Sequence, residues 1–446
     1  MTHRPIKAPL LAVTLLLCTG TLWSMDLLQA YEAAKINDPT LLASRASAEA
    51  GRERLPQALA QLLPNLSLSM TGNHNQLSSV APGLTGEPSN TDSSYPSSNR
   101  TLTLRQPIIR SHLTAQYRQA QAQVDDAQEM LAQDEQELAV RVSSAYFEAM
   151  LTHEQLALVL AQRAAYQTQL AAAQKLLALG SGTRTDIDEA QARLDVTLAN
   201  EFEARQNIDY TLRQLQALVN QPIDGLAKLD PTKFTLAQPE PDNVQSWIER
   251  AESKNHRLRS LQAQVEVARG ELAKARAGHM PTLDAVAQWT HSMSENVVNI
   301  QSTYSNKSIG LQLNIPIFSG GQVASTVRQA QATLDRAGFL LEAGRRELAV
   351  NVHKEFRGVT ESMARVKALE QALRSSEQVL LSNQKSVRGG SRTLLDVMNA
   401  EQQRMVVLRD LAQARYVHLI SRIRLLALTS SANTEAMAAI NQSLTN

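Results

Sequence analysis

The sequence repeats itself once, and that repetition limits what the chain can fold into more than any other feature. RQAQA occurs at 118–122 and again at 328–332, and ELAV occurs at 137–140 and again at 347–350. The two matches share one offset, so the stretch between them is ungapped. Upstream, LTLRQPII (102–109) pairs with LQLNIPIF (311–318), and LPNLSLSM (63–70) resembles MPTLDAVA (280–287). Last in each copy comes a polar tip, GTRTDIDEAQ from Gly182 and GSRTLLDVMNA from Gly390. Five features in one order mark a duplication. Each copy reads as helix, strand, polar loop, strand, very long helix, tip and return helix.

The strand segments alternate. Leu66, Leu68 and Met70 in the first copy, and Ile309, Leu311 and Leu313 in the second, are separated by polar or small residues. Period two puts one apolar face opposite one polar face. Strands are expected at about 64–74, 100–107, 281–291 and 307–317, with long polar loops at 73–99 and 292–306. The helices have another period. Val124, Leu131 and Leu138 are seven apart and are continued by Val142, Tyr146 and Met150; Leu334, Leu341 and Leu348 are continued by Val352, Phe356 and Val359. A sustained seven-residue spacing predicts left-handed coiled-coil packing. The stretch 111–179 is expected to form one helix of ~100 Å at ~1.5 Å per residue.

The expected organisation places a first repeat at 25–219 and a second at 246–429, with tips at about 180–188 and 388–396. A Pro-rich linker, 220–245, joins them outside the bundle, and a frayed tail occupies 430–446. Residues 1–24 have the order of a secretory signal peptide: Arg4 and Lys7, an apolar run from Leu10, then small residues near Ser24. The run is too short to span a bilayer. Cys18, the single cysteine, falls inside it after three leucines, a poor setting for lipidation, so a mature chain would have neither disulfides nor a thiolate site.

The 446 residues carry only 4% aromatics and 18 glycines, with a formal net charge of +1. That composition suits long helices rather than large globular cores, and the charge points to no nucleic-acid partner. Nine histidines are scattered without metal-ligand spacing, and no nucleophile elbow is present, so neither catalysis, nor a metal, nor a cofactor is expected.

Four apolar-faced strands cannot close a barrel, and lipid does not tolerate an open sheet edge. Three chains contributing four strands each make twelve, enough for a barrel with a lumen. The expected fold is therefore mainly α with a small membrane β part: an internally duplicated chain whose homotrimer closes a twelve-stranded barrel beside long coiled-coil helices. The competing reading is a periplasmic coiled-coil adaptor or scaffold that never enters a membrane.

In the order of its motifs, from DLLQAYEAAKINDP (26–39) to LLDVMNA (394–400), the chain resembles the TolC family of trimeric outer-membrane channel-tunnels. The resemblance implies that the twelve-stranded barrel continues into a long α-helical coiled-coil barrel, an exit duct for type I protein secretion or drug efflux standing in the outer membrane and reaching into the periplasm. It also implies a periplasmic adaptor and an inner-membrane transporter, ABC or proton-driven. The lack of a lipidation cysteine resembles the secretion branch. Two acidic positions in the family's VDVLDA aperture motif fall on Asp396 and Asn399, the second an amide here. A family latch between an arginine and an aspartate falls on Arg392 and Asp188, and Val387 replaces a tyrosine that supports it in some members. The turns at Gly182, Thr183, Arg184 and at Gly390, Ser391 become the expected adaptor docking points. A plainer reading runs beside this one: Thr185-x-x-Asp188 and Thr393-x-x-Asp396 have capping-box spacing, and Gly180, Gly182, Gly389 and Gly390 let the chain reverse.

Overall fold

A computed structural model of the chain describes residues 24–82, 87–294 and 301–445. Of the expected signal segment 1–24, residues 1–23, Cys18 among them, lie outside the described residues. In chain order the elements are α1 (Leu27–Asn37), α2 (Pro39–Arg52), α3 (Arg54–Ala60), β1 (Asn65–Pro82), β2 (Pro88–Ile109), α4 (Ser111–Ala178) and α5 (Arg184–Val219). They continue with β3 (Lys228–Leu229), α6 (Val244–Lys254), α7 (His256–Arg276), β4 (Thr282–Met293), β5 (Thr303–Asn314), α8 (Gln322–Arg388), α9 (Leu394–Leu428), α10 (Thr434–Asn441) and β6 (Leu444–Thr445).

The seven-residue stripes become the buried seams of the two longest helices, of 68 and 67 residues. Leu138, Val142, Tyr146 and Met150 are buried on α4, and Leu348, Val352, Phe356 and Val359 on α8. The helix α4 packs against α5, α7 and α9, and α8 packs against α7 and α9. Between the strands and the tips lies a belt. There α1, α10 and the linker wrap the long helices around a core containing Tyr146, Phe147, Leu215, Met437 and Ile440, none more than 1% exposed. Within it, buried Asp38 caps α2 by accepting from the Leu41 N–H and pairs with Arg141 at 2.7 Å, so the carboxylate is compensated twice.

Two expectations are corrected in this belt. The linker does not lie clear of the bundle: Ile223 and Ala227 are buried in the core, and the Tyr146 hydroxyl sits 3.2 Å from the Ala227 carbonyl. The tail is not frayed through its described residues either. Asn433 caps α10, Met437 and Ile440 are buried, and β6 pairs with β3. Apolar residues three and four positions apart (Met437, Ile440, Leu444) supplied the burial that a reading of overall polarity overlooked.

The sheet is antiparallel in the order β1-β2-β4-β5. Directly paired residues share a face. The row Leu66, Leu104, Ala287, Ile309 is apolar across all four strands, while the row Ser67, Thr103, Gln288, Ser308 is polar across all four. The apolar band is uncovered: Leu68 is 56% exposed, Leu311 69% and Ile309 87%. Among the described residues, both β1 and β5 leave an outer edge without a partner. Among the described residues no helix is long and apolar enough to cross a membrane.

The strand limits also differ from expectation. The segment read as a polar loop at 73–99 is paired, from Asn73 with Ser97 up to Pro82 with Pro88. Backbone pairing does not require an apolar face, so a Ser- and Asn-rich ribbon carries no period-two signal. Conversely β5 stops at Asn314 rather than 317. Pro316 lacks the N–H that a ladder requires. Where sheet meets helix, Arg110 forks onto Asp284, its Nε 2.8 Å from the carboxylate.

Candidate functional site

At the end of the molecule opposite the sheet, α4 and α5 reverse at one tip and α8 and α9 at the other. Each turn passes through a glycine with positive φ, Gly180 at 77° and Gly390 at 74°. There a side chain would be strained. The next residue folds back identically, the Ser181 N–H donating to Leu176 O and the Ser391 N–H to Ser386 O, each at 3.0 Å. Threonine caps the following helix in both: Thr183 accepts from the Asp186 N–H, Thr393 from the Asp396 N–H, and each aspartate accepts in return from its threonine's N–H.

This corrects the register read from the repeated Arg-Thr pair. Gly180 and Gly390, Thr183 and Thr393, Asp186 and Asp396 stand 210 positions apart, the same spacing as Arg118 and Arg328. The duplication therefore runs ungapped into the tips. The first capping box is Thr183 with Asp186, not Thr185 with Asp188, and the structural counterpart of Asp396 is Asp186.

Charged residues at the tips pair within their own turns. Arg184 and Asp188 meet at 3.2 Å on an exposed face, and Arg392 meets Asp396 at 3.4 Å. Within one chain Asp188 and Arg392 are thus each engaged locally. The Thr393 backbone N–H, with its hydroxyl and the Arg392 guanidinium, holds the Asp396 carboxyl below its usual range. Asn399 does not stand free either: its Oδ1 accepts from Arg193 Nη2 at 2.7 Å. Around this contact the two helical hairpins touch through Tyr166, Ala190, Leu194 and Met398. Sequence reasoning did not single out Arg193 or Met398. In an Ala-, Gln- and Arg-rich tract, an arginine bridging two helices looks like one on a solvated face.

The residues expected to dock an adaptor fall within the two turns. Gly182, Thr183, Arg184, Gly390 and Ser391 are all at the tips, and all but Gly182 are exposed. At Gly182 a Cβ would come within 2.8 Å of the Leu177 backbone N, so the first turn closes too tightly for any other residue. Among the described residues, no group of three histidines, cysteines or carboxylates is placed to hold a metal.

The family model for outer membrane efflux proteins matches residues 30–221 and 247–431, the two repeats on either side of the linker. The chain belongs to this family. Like other outer membrane efflux proteins, it is a protein of the outer membrane reaching into the periplasm, and the family consists of ducts rather than enzymes. Proteases secretion protein PrtF of Dickeya chrysanthemi is 33% identical over 437 residues, covering 97% of this chain and 94% of that protein. Alkaline protease secretion protein AprF of Pseudomonas aeruginosa is 33% identical over 427 residues, covering 95% and 88%. Among solved structures, the outer membrane protein VceC of Vibrio cholerae superimposes with a TM-score of 0.78 at 18% identity, over 92% of this chain and 99% of that one. The fold is that of the family's trimeric channel-tunnels, four strands per chain continued by long paired helices.

Proposed function

We propose that three copies of this chain form the exit duct of a type I protein secretion machine, carrying polypeptide from an inner-membrane transporter across the periplasm and outer membrane. One observation carries the duct: a four-stranded sheet with an uncovered apolar band and, among the described residues, two unpaired edges. Lipid accepts such a sheet only as part of a closed barrel. Joining β1 of one copy to β5 of the next satisfies both edges and turns the polar rows inward to line a lumen. The choice of protein cargo is supported by the near full-length likeness to two proteins named for protease secretion. The same architecture also suits small-molecule efflux, the activity in the family's description.

At the inner end, the tips present Asp396 three times around one axis, a carboxylate ring that favours cations. Arg392 and Asp188 of adjoining tips are proposed as the latch between helical hairpins, and the exposed turns at Gly182–Arg184 and Gly390–Ser391 as the adaptor's docking points. Opening is a separation of the hairpins biased by the docked adaptor and transporter.

The test is direct. Purified from outer membranes, the protein is expected to run as a heat-resistant trimer and to form ion-conducting pores in planar bilayers. Deleting its gene is expected to abolish secretion of an exported protein. A soluble monomer without pores refutes the duct; pores with intact secretion but lost drug resistance refute the cargo.

A further inference from the structure

The guanidinium of Arg193 joins the two helical hairpins of one chain. On α5, Nη2 donates both to Glu189 Oε1 on its own helix at 3.2 Å and to Asn399 Oδ1 on α9 at 2.7 Å. Nη1 donates to Gln402 Oε1, also on α9, at 3.0 Å. Asn399 and Gln402 are three residues apart and therefore share a helix face. The arginine side chain is only 21% exposed, and its donors are held in a rigid fork suited to two parallel acceptors. Arginine has no acceptor, so the amide oxygens must face it.

We infer that Arg193 is the intrachain clamp of the tips, a positioning residue that holds the α8–α9 hairpin to the α4–α5 hairpin through two uncharged amides. This rests on the duct reading and adds a residue to it. Nearby, the α5–α9 contact consists of a small apolar cluster around Met398, so Arg193 supplies the directional part of the joint. The acceptors are amides, and an arginine–amide bond is weaker than an arginine–carboxylate pair. The clamp therefore releases more readily than an ion pair at the same place. It also removes Asn399 from the aperture: an amide turned toward Arg193 contributes no ring of its own.

Three variants recorded in planar bilayers test this: Arg193→Ala, Asn399→Asp, and the two combined. Arg193→Ala is expected to raise single-channel conductance about two-fold or more. Asn399→Asp turns the clamp into an ion pair, so conductance is expected to stay at or below that of the parent protein, with cation preference rising less than in the double variant because the guanidinium, shared with Glu189, holds the new carboxylate. The double variant frees that carboxylate, and both conductance and cation preference are expected to rise. This non-additivity is the signature of a direct bond. An Arg193→Ala conductance equal to the parent's overturns the clamp. So does an Asn399→Asp protein that is already as cation-selective as the double variant, since Asn399 would then face the lumen unheld. If the parent protein makes no pores, the duct reading itself fails. Trimer content on gels excludes misfolding, and Arg193→Lys, which keeps charge but loses the fork, is expected to fall between parent and Ala.

Discussion

The same long helices are held in two different ways along their length. In the belt, Leu138, Tyr146, Phe147, Leu215 and Met437 are at most 1% exposed, and α1, α10 and the linker close over them. At the tips, the two hairpins share four buried side chains and one arginine resting on amides. Buried apolar area scales stability at roughly 25 cal/mol per Å², so the middle is rigid while the ends are separable. A duplicated helical scaffold can thus be fixed at its waist and still move at its mouth.

The largest effect that sharpens this contrast is expected in the belt. His418 is fully buried, and the Ser362 hydroxyl already donates to Val359 O. The Nδ1–H of His418 therefore donates to Ser362, which leaves Nε2 without a partner among the described residues. Burial, with Arg422 nearby, pushes the imidazole down to about 4. Because the folded value lies below the unfolded one, the contribution is complete above about pH 6.5 and is lost as pH falls toward 4. By linkage it amounts to about 3 kcal/mol. Denaturant midpoints against pH are expected to fall over this window and to flatten in His418→Asn, whose amide keeps the bond to Ser362. An equally steep acid slope in the variant would show that the belt owes its acid sensitivity to other groups.

A smaller effect compares the tips with each other. Removing either capping hydroxyl, by Thr183→Ala or Thr393→Ala, is expected to cost about 1 kcal/mol. Hydrogen exchange should localise the loss to the first turns of α5 and α9, while Thr185→Ala changes little. A silent Thr183→Ala with a sensitive Thr185→Ala would restore the other register. The smallest effect belongs to the exposed Arg184–Asp188 pair: Asp188→Asn should move the melting midpoint of the isolated protein by no more than ~0.5 kcal/mol equivalent. A larger shift would mean that the tips are tied more firmly than the geometry shows.

What the sequence revealed follows the same division. Heptad leucines and alternating strand residues bury or expose whole faces, so both appeared at their own periods and placed α4, α8 and the apolar band. The ribbon from residue 73 to 99 has no apolar face, and its backbone ladder left no trace in side-chain chemistry. At the tips, the visible Arg-Thr coincidence at 184–185 and 392–393 competed with the fixed spacing of the duplication, and the spacing was the physical constraint. Gly182 explains the slip. It donates an extra N–H to Leu176 O and closes the first turn, whereas Arg392 occupies that position in the second. Arg193 was hidden for a different reason, because its partners on α9 lie two hundred residues away and carry no charge.

The two strand pairs are of unequal height. Among the described residues β4 ends at Met293 against Ser98, whereas the first pair runs on from Asn73 to Pro82, about 30 Å at ~3.4 Å per residue. Once three chains close into a cylinder, three hydrophilic posts rise from its outer lip. Cargo leaving the cell thus slides past serine- and asparagine-rich uprights before it is free, and whatever approaches from outside meets these uprights first.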